Sequence, residues 1–301
     1  PVDYMPKANA LQEDIKYESS DEIGKLYRVP VCVSMEQGFT YAAADAGAFS
    51  INTPVAAELQ DAQVVGAQIL LESRLSYEAA MRAKKDKASF MQAMPLVIRN
   101  MHAAMRKRVE FQHLYGGATA RSGIGRASLA GGGSSTEPDA THIAIVMDIA
   151  TWAPAIWAGA KGMQCDFYDN ATTTSIPTTL RTDSATVFSV TAVDIATRTI
   201  TFVGDAGDID AIGTDITSTE GGTLYPRGAF GADWVGLASI VGNTGTMFNI
   251  AGATYDMWQG NSFPVGSTQL TMQKVFDGLD GPIGRGLEDG ITLYVNSRTW
   301  S

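Results

Sequence analysis

Residues 28–60 read "RVPVCVSMEQGFTYAAADAGAFSINTPVAAELQ". In the first run Val29, Val31, Val33, Met35, Phe39 and Tyr41 stand at odd positions and are apolar, and the even positions are mostly polar or small. That is the period-two signature of a strand with one apolar face. After the small-residue stretch 42–48 the pattern resumes, with Phe49, Ile51, Val55 and Leu59 apolar and Ser50, Asn52, Glu58 and Gln60 polar. The two runs predict one long hairpin with its tip near Ala46. Arms of about 12 to 14 residues at ~3.3 Å per residue would reach roughly 40 Å, well beyond an ordinary strand. Pro30 and Pro54 restrict further pairing to an edge. A lone two-stranded ribbon with a bare apolar face is not stable in water. Either another surface covers it, or the two runs lie within one compact sheet of this chain.

Downstream, "VVGAQILLESRL" continues as extended chain, and Ser76 is suited to cap the start of a helical segment. A long helix is expected over about 86–115, some 45 Å at ~1.5 Å per residue, with a bend at Pro95. Met94, Ile98, Met101, Met105 and Val109 form its apolar stripe, and Gly116-Gly117 supplies the stop. The Gly/Ser/Ala-rich stretch 117–139 reads as a loop. "HIAIVMDI" reads as a strand, "TWAPAIWAGAKG" as a short helix, and "TVFSVTAVDIATRTITFVG" as a hairpin turning at Ala196-Thr197-Arg198. "DIDAIGTDI" extends that hairpin into a β-rich insertion ending near Pro226.

The chain has 301 residues, 45% hydrophobic and 18% charged, enough to bury a sizeable core in one or two domains. No run of 18 apolar residues and no apolar export segment is present, so synthesis in a cytoplasm is expected, with Pro1 exposed either by removal of an initiator Met or by proteolytic processing. Two cysteines, Cys32 and Cys165, exclude a disulfide framework. Residues 1–126 carry 15 Lys+Arg against 14 Asp+Glu, and residues 127–301 carry 7 against 18, so the net charge of −10 resides in the C-terminal part. An acidic chain is ill suited to nucleic-acid affinity as its main task, because that affinity comes chiefly from neutralising phosphates. Of the cations of the long helix, Arg99, Arg106, Lys107 and Arg108, helical spacing puts Arg99 and Arg106 on a flank of the apolar stripe and points Lys107 away from it, so they surround the helix and form no single stripe. They read either as a solvated or salt-bridged surface or as a weak contact for DNA or a neighbouring subunit.

Catalytic signatures are missing. His102 and His113 lie 11 residues apart on the helix, ~16 Å, too far to share a metal. "GIGRAS" fails the dinucleotide pattern at Ser128, and no nucleophile elbow occurs. Read as a calcium loop from Asp208, the acidic run has Ile212 and Thr219 where oxygen ligands belong. The expectation is a chain with no catalytic, metal or cofactor residues, and not an enzyme.

The order of elements is nevertheless distinctive. An N-terminal arm, a long ribbon, "QILLESRLSYEAAMRAKKDKASF" leading into a helix that ends in "LYGG", and then "TWAPAIWAGAKGM" resembles the major capsid proteins of tailed bacteriophages with the Hong Kong 97-type fold. The resemblance runs from about Lys25 onward. It implies an α+β fold divided as follows: an N-terminal arm over 1–27, the extended loop over 28–62, a peripheral domain with its spine helix over 63–170, an inserted β-rich domain over 171–226, and over 227–301 the rest of the peripheral domain with the start of the axial domain. "GLEDGITLYVNSRTWS" is similar to the strand and helix start after which that family's axial domain continues.

The function so implied is a head protein that self-assembles into an icosahedral shell around double-stranded DNA, located in the virion and assembled in the host cytoplasm. Its implied partners are further copies of itself in hexamers and pentamers, packaged DNA held by non-specific contacts, and separate scaffolding, portal and cement or decoration proteins, with no membrane. Val31, Val33, Met35, Phe39, Tyr41, Phe49, Ile51 and Val55 would then make the intersubunit contact. Some relatives in that family weld their shells through a ribbon lysine, but no lysine occurs from Leu26 through Ala83. Two other readings remain: an encapsulin-like shell around protein cargo, and a β-rich surface binding module.

Overall fold

The computed structural model describes residues 11, 26–74, 93–170, 176–218, 220–242, 245–266, 269–287 and 290–295. It is a mixed α+β structure whose chain divides into two compact units. The first comprises residues 1–18 and 67–239, the second residues 19–66 and 240–301. Ser76 and the expected start of the long helix near residue 86 lie outside the described residues, as does Thr219.

In the second unit β1 (Leu26–Ser34) and β2 (Glu58–Val65) pair antiparallel, from Leu26 opposite Val65 to Ser34 opposite Glu58. This is the expected hairpin, with a regular ladder only at its base. A bulge between Cys32 and Ser34 ends the regular register.

The first unit holds α1 (Ala93–Tyr115), β3 (Gly125–Ala127), β4 (Ser134–Asp139), β5 (His142–Val146), α2 (Pro154–Trp157) and β6 (Cys165–Asp169). It continues with β7 (Thr179–Leu180), β8 (Ser189–Asp194), β9 (Thr199–Val203), α3 (Ala206–Thr217) and β10 (Gly222–Pro226). Two four-stranded sheets result, in the orders β4-β5-β9-β8 and β3-β10-β6-β7, with every pairing antiparallel. Strict alternation explains the first sheet. Ile143 and Ile145 of β5 and Ile200 and Phe202 of β9 are fully buried, and their sequence neighbours are half exposed. Phe202 stacks on Phe188 at 4.5 Å and meets Trp157 edge-on at 6.3 Å.

Two local expectations are corrected. "DIDAIGTDI" is not strand; it forms most of α3. Asp205 caps that helix by accepting from the Gly207 N–H at 2.9 Å, and Ile209, Ile212 and Ile216 fall on one face and are buried in the core. Arg181 then ties the helix to the sheet, with Nε 2.7 Å and Nη2 3.0 Å from the two Asp215 oxygens and Nη2 3.2 Å from Asp169. The second correction is that residues 117–139 contain β3 and β4 rather than loop alone. Buried Asp148 accepts from the Ser128 N–H and hydroxyl, each at 2.8 Å, and a Cβ on Gly131 would lie 2.2 Å from its carboxyl. The glycines of this stretch make room for a carboxylate and do not serve as a flexible linker.

Strands β7 to β10 share both sheets with β3 to β6: β9 pairs with β5, and β10 pairs with β3 and β6. A single hydrophobic cluster runs from Ile124 to Leu224.

Replacing Phe202 with Ala should cost about 3–5 kcal/mol, as expected for a buried aromatic ring. Ile98→Ala, at a half-exposed position on α1, should stay within roughly 0.5 kcal/mol. Urea unfolding of the two variants checks the contrast.

Candidate functional site

The ribbon's base is held by its own unit. Val33, 1% exposed, packs with Ala62 and Ile250, and Val31, Phe248, Tyr255 and Trp258 lie around them. The short pair β11 (Thr246–Met247) and β12 (Ile250–Ala251) presents that patch. The Gln63 N–H donates to the Phe248 carbonyl at 2.8 Å. The Tyr255 hydroxyl donates to Glu58 Oε1 at 2.5 Å and accepts from Gln60 Nε2 at 3.0 Å. These bonds hold the Glu58 carboxyl below the usual carboxylate range and raise the Tyr255 phenol, chiefly through their mutual bond.

Beyond Ser34 the arms stay together by a few specific bonds. Gln37 and Val55 exchange backbone bonds of 2.9 and 2.7 Å, and Asn52 donates through its side chain to the Phe39 carbonyl at 2.8 Å. The Asn52 N–H also donates to the Thr40 hydroxyl at 2.9 Å. A turn with the Ala46 N–H donating to the Ala43 carbonyl forms the tip, where it was expected. A Cβ on Gly38 would stand 3.2 Å from Pro54 Cα, which records how closely the arms approach.

This outer half carries the apolar side chains into solvent. Met35 is 64% exposed, Phe39 67%, Tyr41 89%, Phe49 56%, Ile51 78% and Val55 55%. The eight residues singled out from the sequence therefore separate. Val31 and Val33 line the anchored base, and the other six lie on the exposed part. The alternation marked all eight alike, because periodicity reports a face and does not report what covers it.

The cations of α1 also separate. Lys107 turns inward, its Nζ 2.6 Å from the Ala158 carbonyl and 5.4 Å from the centre of the Phe111 ring, and burial lowers its pKa. Arg108 is lowered by burial too, against the opposing pull of Cys165 and Asp233. Arg99 and Arg106 are exposed. The expectation that Lys107 points away from the packed face is thus corrected: the carbonyl that receives it, at Ala158, lies 51 residues away, beyond the reach of helical spacing.

His113 packs against Trp234 at 5.4 Å, His142 Nδ1 lies 2.9 Å from Asp139, and His102 is exposed. The Cys165 thiol is pushed up to about 12 by burial, out of the range of a nucleophile. No group of His, Cys, Asp and Glu among the described residues could hold a metal. A cavity beside Arg108, Gln112 and Asp233 has a volume of about 10 Å³, room for about one water. Among the described residues no helix is long and apolar enough to cross a membrane.

No family model, no curated protein and no solved structure matches this chain.

Tyr255→Phe should raise the Glu58 pKa towards that of a free carboxylate, because the largest cause of its lowering is removed. The clasp contributes stability above the unfolded carboxylate pKa and loses it as pH falls through the lower folded value, so the variant should lose the larger part of that acid dependence and keep the part held by Gln60. Carbon-detected NMR titration of Glu58 checks it; an unchanged titration midpoint would refute the assignment.

Proposed function

We propose that the chain is a structural shell protein, the major capsid protein of a tailed-bacteriophage-type particle that encloses double-stranded DNA. The observation that carries the reading is the ribbon: anchored at its base by its own unit, it holds six large apolar side chains in solvent on its outer half. Burying a side chain of this size contributes about 1.5–3 kcal/mol. A second copy of the chain supplies a partner surface in a closed assembly, where every ribbon meets an identical neighbour. The order of ribbon, long helix and sheet-rich core supports the same reading, as does the net charge of −10. A wall that is acidic overall confines DNA without adsorbing it tightly.

Hexamers and pentamers of the chain, with separate scaffolding, portal and cement proteins, complete the proposal. Cohesion between subunits rests on apolar burial and hydrogen bonds, because the ribbon carries no lysine to weld to a neighbour. An arginine there is no substitute, since a guanidinium stays protonated.

Replacing residues 36–52 with a short turn should leave a folded chain that no longer forms closed shells under negative-stain microscopy. Intact shells from that deletion would sink the proposal. Particles boiled in detergent and reductant should run as one monomer band, and a ladder of multimers would disprove the non-covalent assembly.

A further inference from the structure

Helix α4 (Met272–Gly284) belongs to the second unit, and local bonds close both of its ends. Thr271 Oγ1 accepts from the Lys274 N–H at 3.4 Å. At the other end the Leu287 N–H donates to the Pro282 carbonyl and the Gly286 N–H to the Ile283 carbonyl, with Gly286 at φ 96°. One side of the helix is fastened to its own unit. Lys274 Nζ donates to the Val265 carbonyl at 3.2 Å, and Phe263 packs on Gly278, where a Cβ would stand 3.4 Å from the ring. At ~100° per residue, Met272, Phe276, Leu279 and Ile283 fall within an arc of ~60° whose centre is more than ~120° round the helix from Lys274 and Gly278. Met272 is 66% exposed, Phe276 58% and Ile283 53%, and Leu279 is half-buried.

We propose that this face pairs with the same face of a second copy of the chain, antiparallel about a two-fold axis. The spacing decides the partner. The four residues recur at steps of four, three and four, the seam of a helix pair, and those steps read the same from either end. An antiparallel second copy therefore sets Met272 against Ile283 and Phe276 against Leu279, the self-complementary contact that a two-fold axis requires. Parallel pairing would set Asp280, at the edge of the seam, beside the same carboxylate of the other copy, whereas antiparallel pairing sets it near Val275. At ~200 Å² for a large side chain, the face offers roughly 400 Å² per copy. Leu270 and Leu287, exposed at the two ends of the helix, bring it to about 500–600 Å². Doubled over the pair, that area lies at the lower end for a specific interface, so the contact is reversible. The pairing goes beyond the shell reading, whose hexamers and pentamers are rings and specify no two-fold contact of this helix.

The test is disulfide trapping in the full chain, with Cys32→Ser to remove the exposed native thiol and with M272C and I283C together. After mild oxidation the chain should run on a non-reducing gel as a dimer and nothing larger, because its two bonds close on each other. Within one chain the two positions are ~16 Å apart along the helix and cannot join. M272C alone and I283C alone should stay monomeric. F276D, added to the two cysteines, should cut the dimer band at least about tenfold, since two rings lose their cover at once. Far-ultraviolet circular dichroism confirms that this variant keeps its helix. L129D, at an exposed position of the first unit, should leave the dimer band unchanged. A ladder of multimers would mean a head-to-tail contact, and a dimer from M272C alone a parallel one; either overturns the proposal. It is equally overturned if the doubly substituted chain stays monomeric, the face then belonging to a different partner, if folded F276D traps as well as its parent, or if L129D loses as much as F276D. A trapped dimer from a chain that builds no shells leaves this pairing standing while the container reading falls, and shells without the dimer do the reverse.

Discussion

Apolar surface held out in water is the constraint on which the rest depends. The outer half of the ribbon exposes Met35, Phe39, Tyr41, Phe49, Ile51 and Val55, while its base is locked by Val33, Ala62 and Ile250. A two-stranded ribbon stands poorly by itself. Here the anchored base, the paired Gln37 and Val55, and the Asn52 bonds to Phe39 and Thr40 hold the arms in register without a core beneath them.

The first unit solves the opposite problem. Its two sheets and α3 enclose a cluster in which Trp157, Phe167, Phe188 and Phe202 are nearly free of solvent, and the carboxylates of Asp148 and Asp215 drawn inside are matched. Asp148 is met by Ser128 and Arg126, and Asp215 by the Arg181 fork. Buried charges of this kind stabilise little beyond a well-packed apolar substitute, but removal of one partner is costly. They fix how α3 and the glycine-rich stretch sit on the sheets.

Charge follows the same division between local pattern and packing. The basic run of α1 is uniform as a string of letters, and the fold sorts it by the direction each side chain takes. Lys107 finds the Ala158 carbonyl and the Phe111 ring, Arg108 lies near Asp233, and Arg99 and Arg106 remain at the surface. Hydrogen-bond satisfaction governs such sorting: a cation leaves water only where carbonyls or carboxylates receive it.

The sequence by itself determined the elements whose signal is periodic or local. The hairpin over residues 28–60, the end of the long helix at Gly116, β5, α2 and the β8–β9 hairpin were all legible, because alternation, helical spacing and turn residues act over a few positions. It misplaced α3, where Asp205 as a cap and isoleucines at helical spacing outweighed an extended reading of an acidic run. Only the tertiary structure decided that Val33 is buried while Met35 is exposed, that Tyr255 clasps Glu58 across 197 positions, and that Lys107 turns inward. Those outcomes depend on which distant segment arrives at a given face, and burial and charge pairing are set by that arrival.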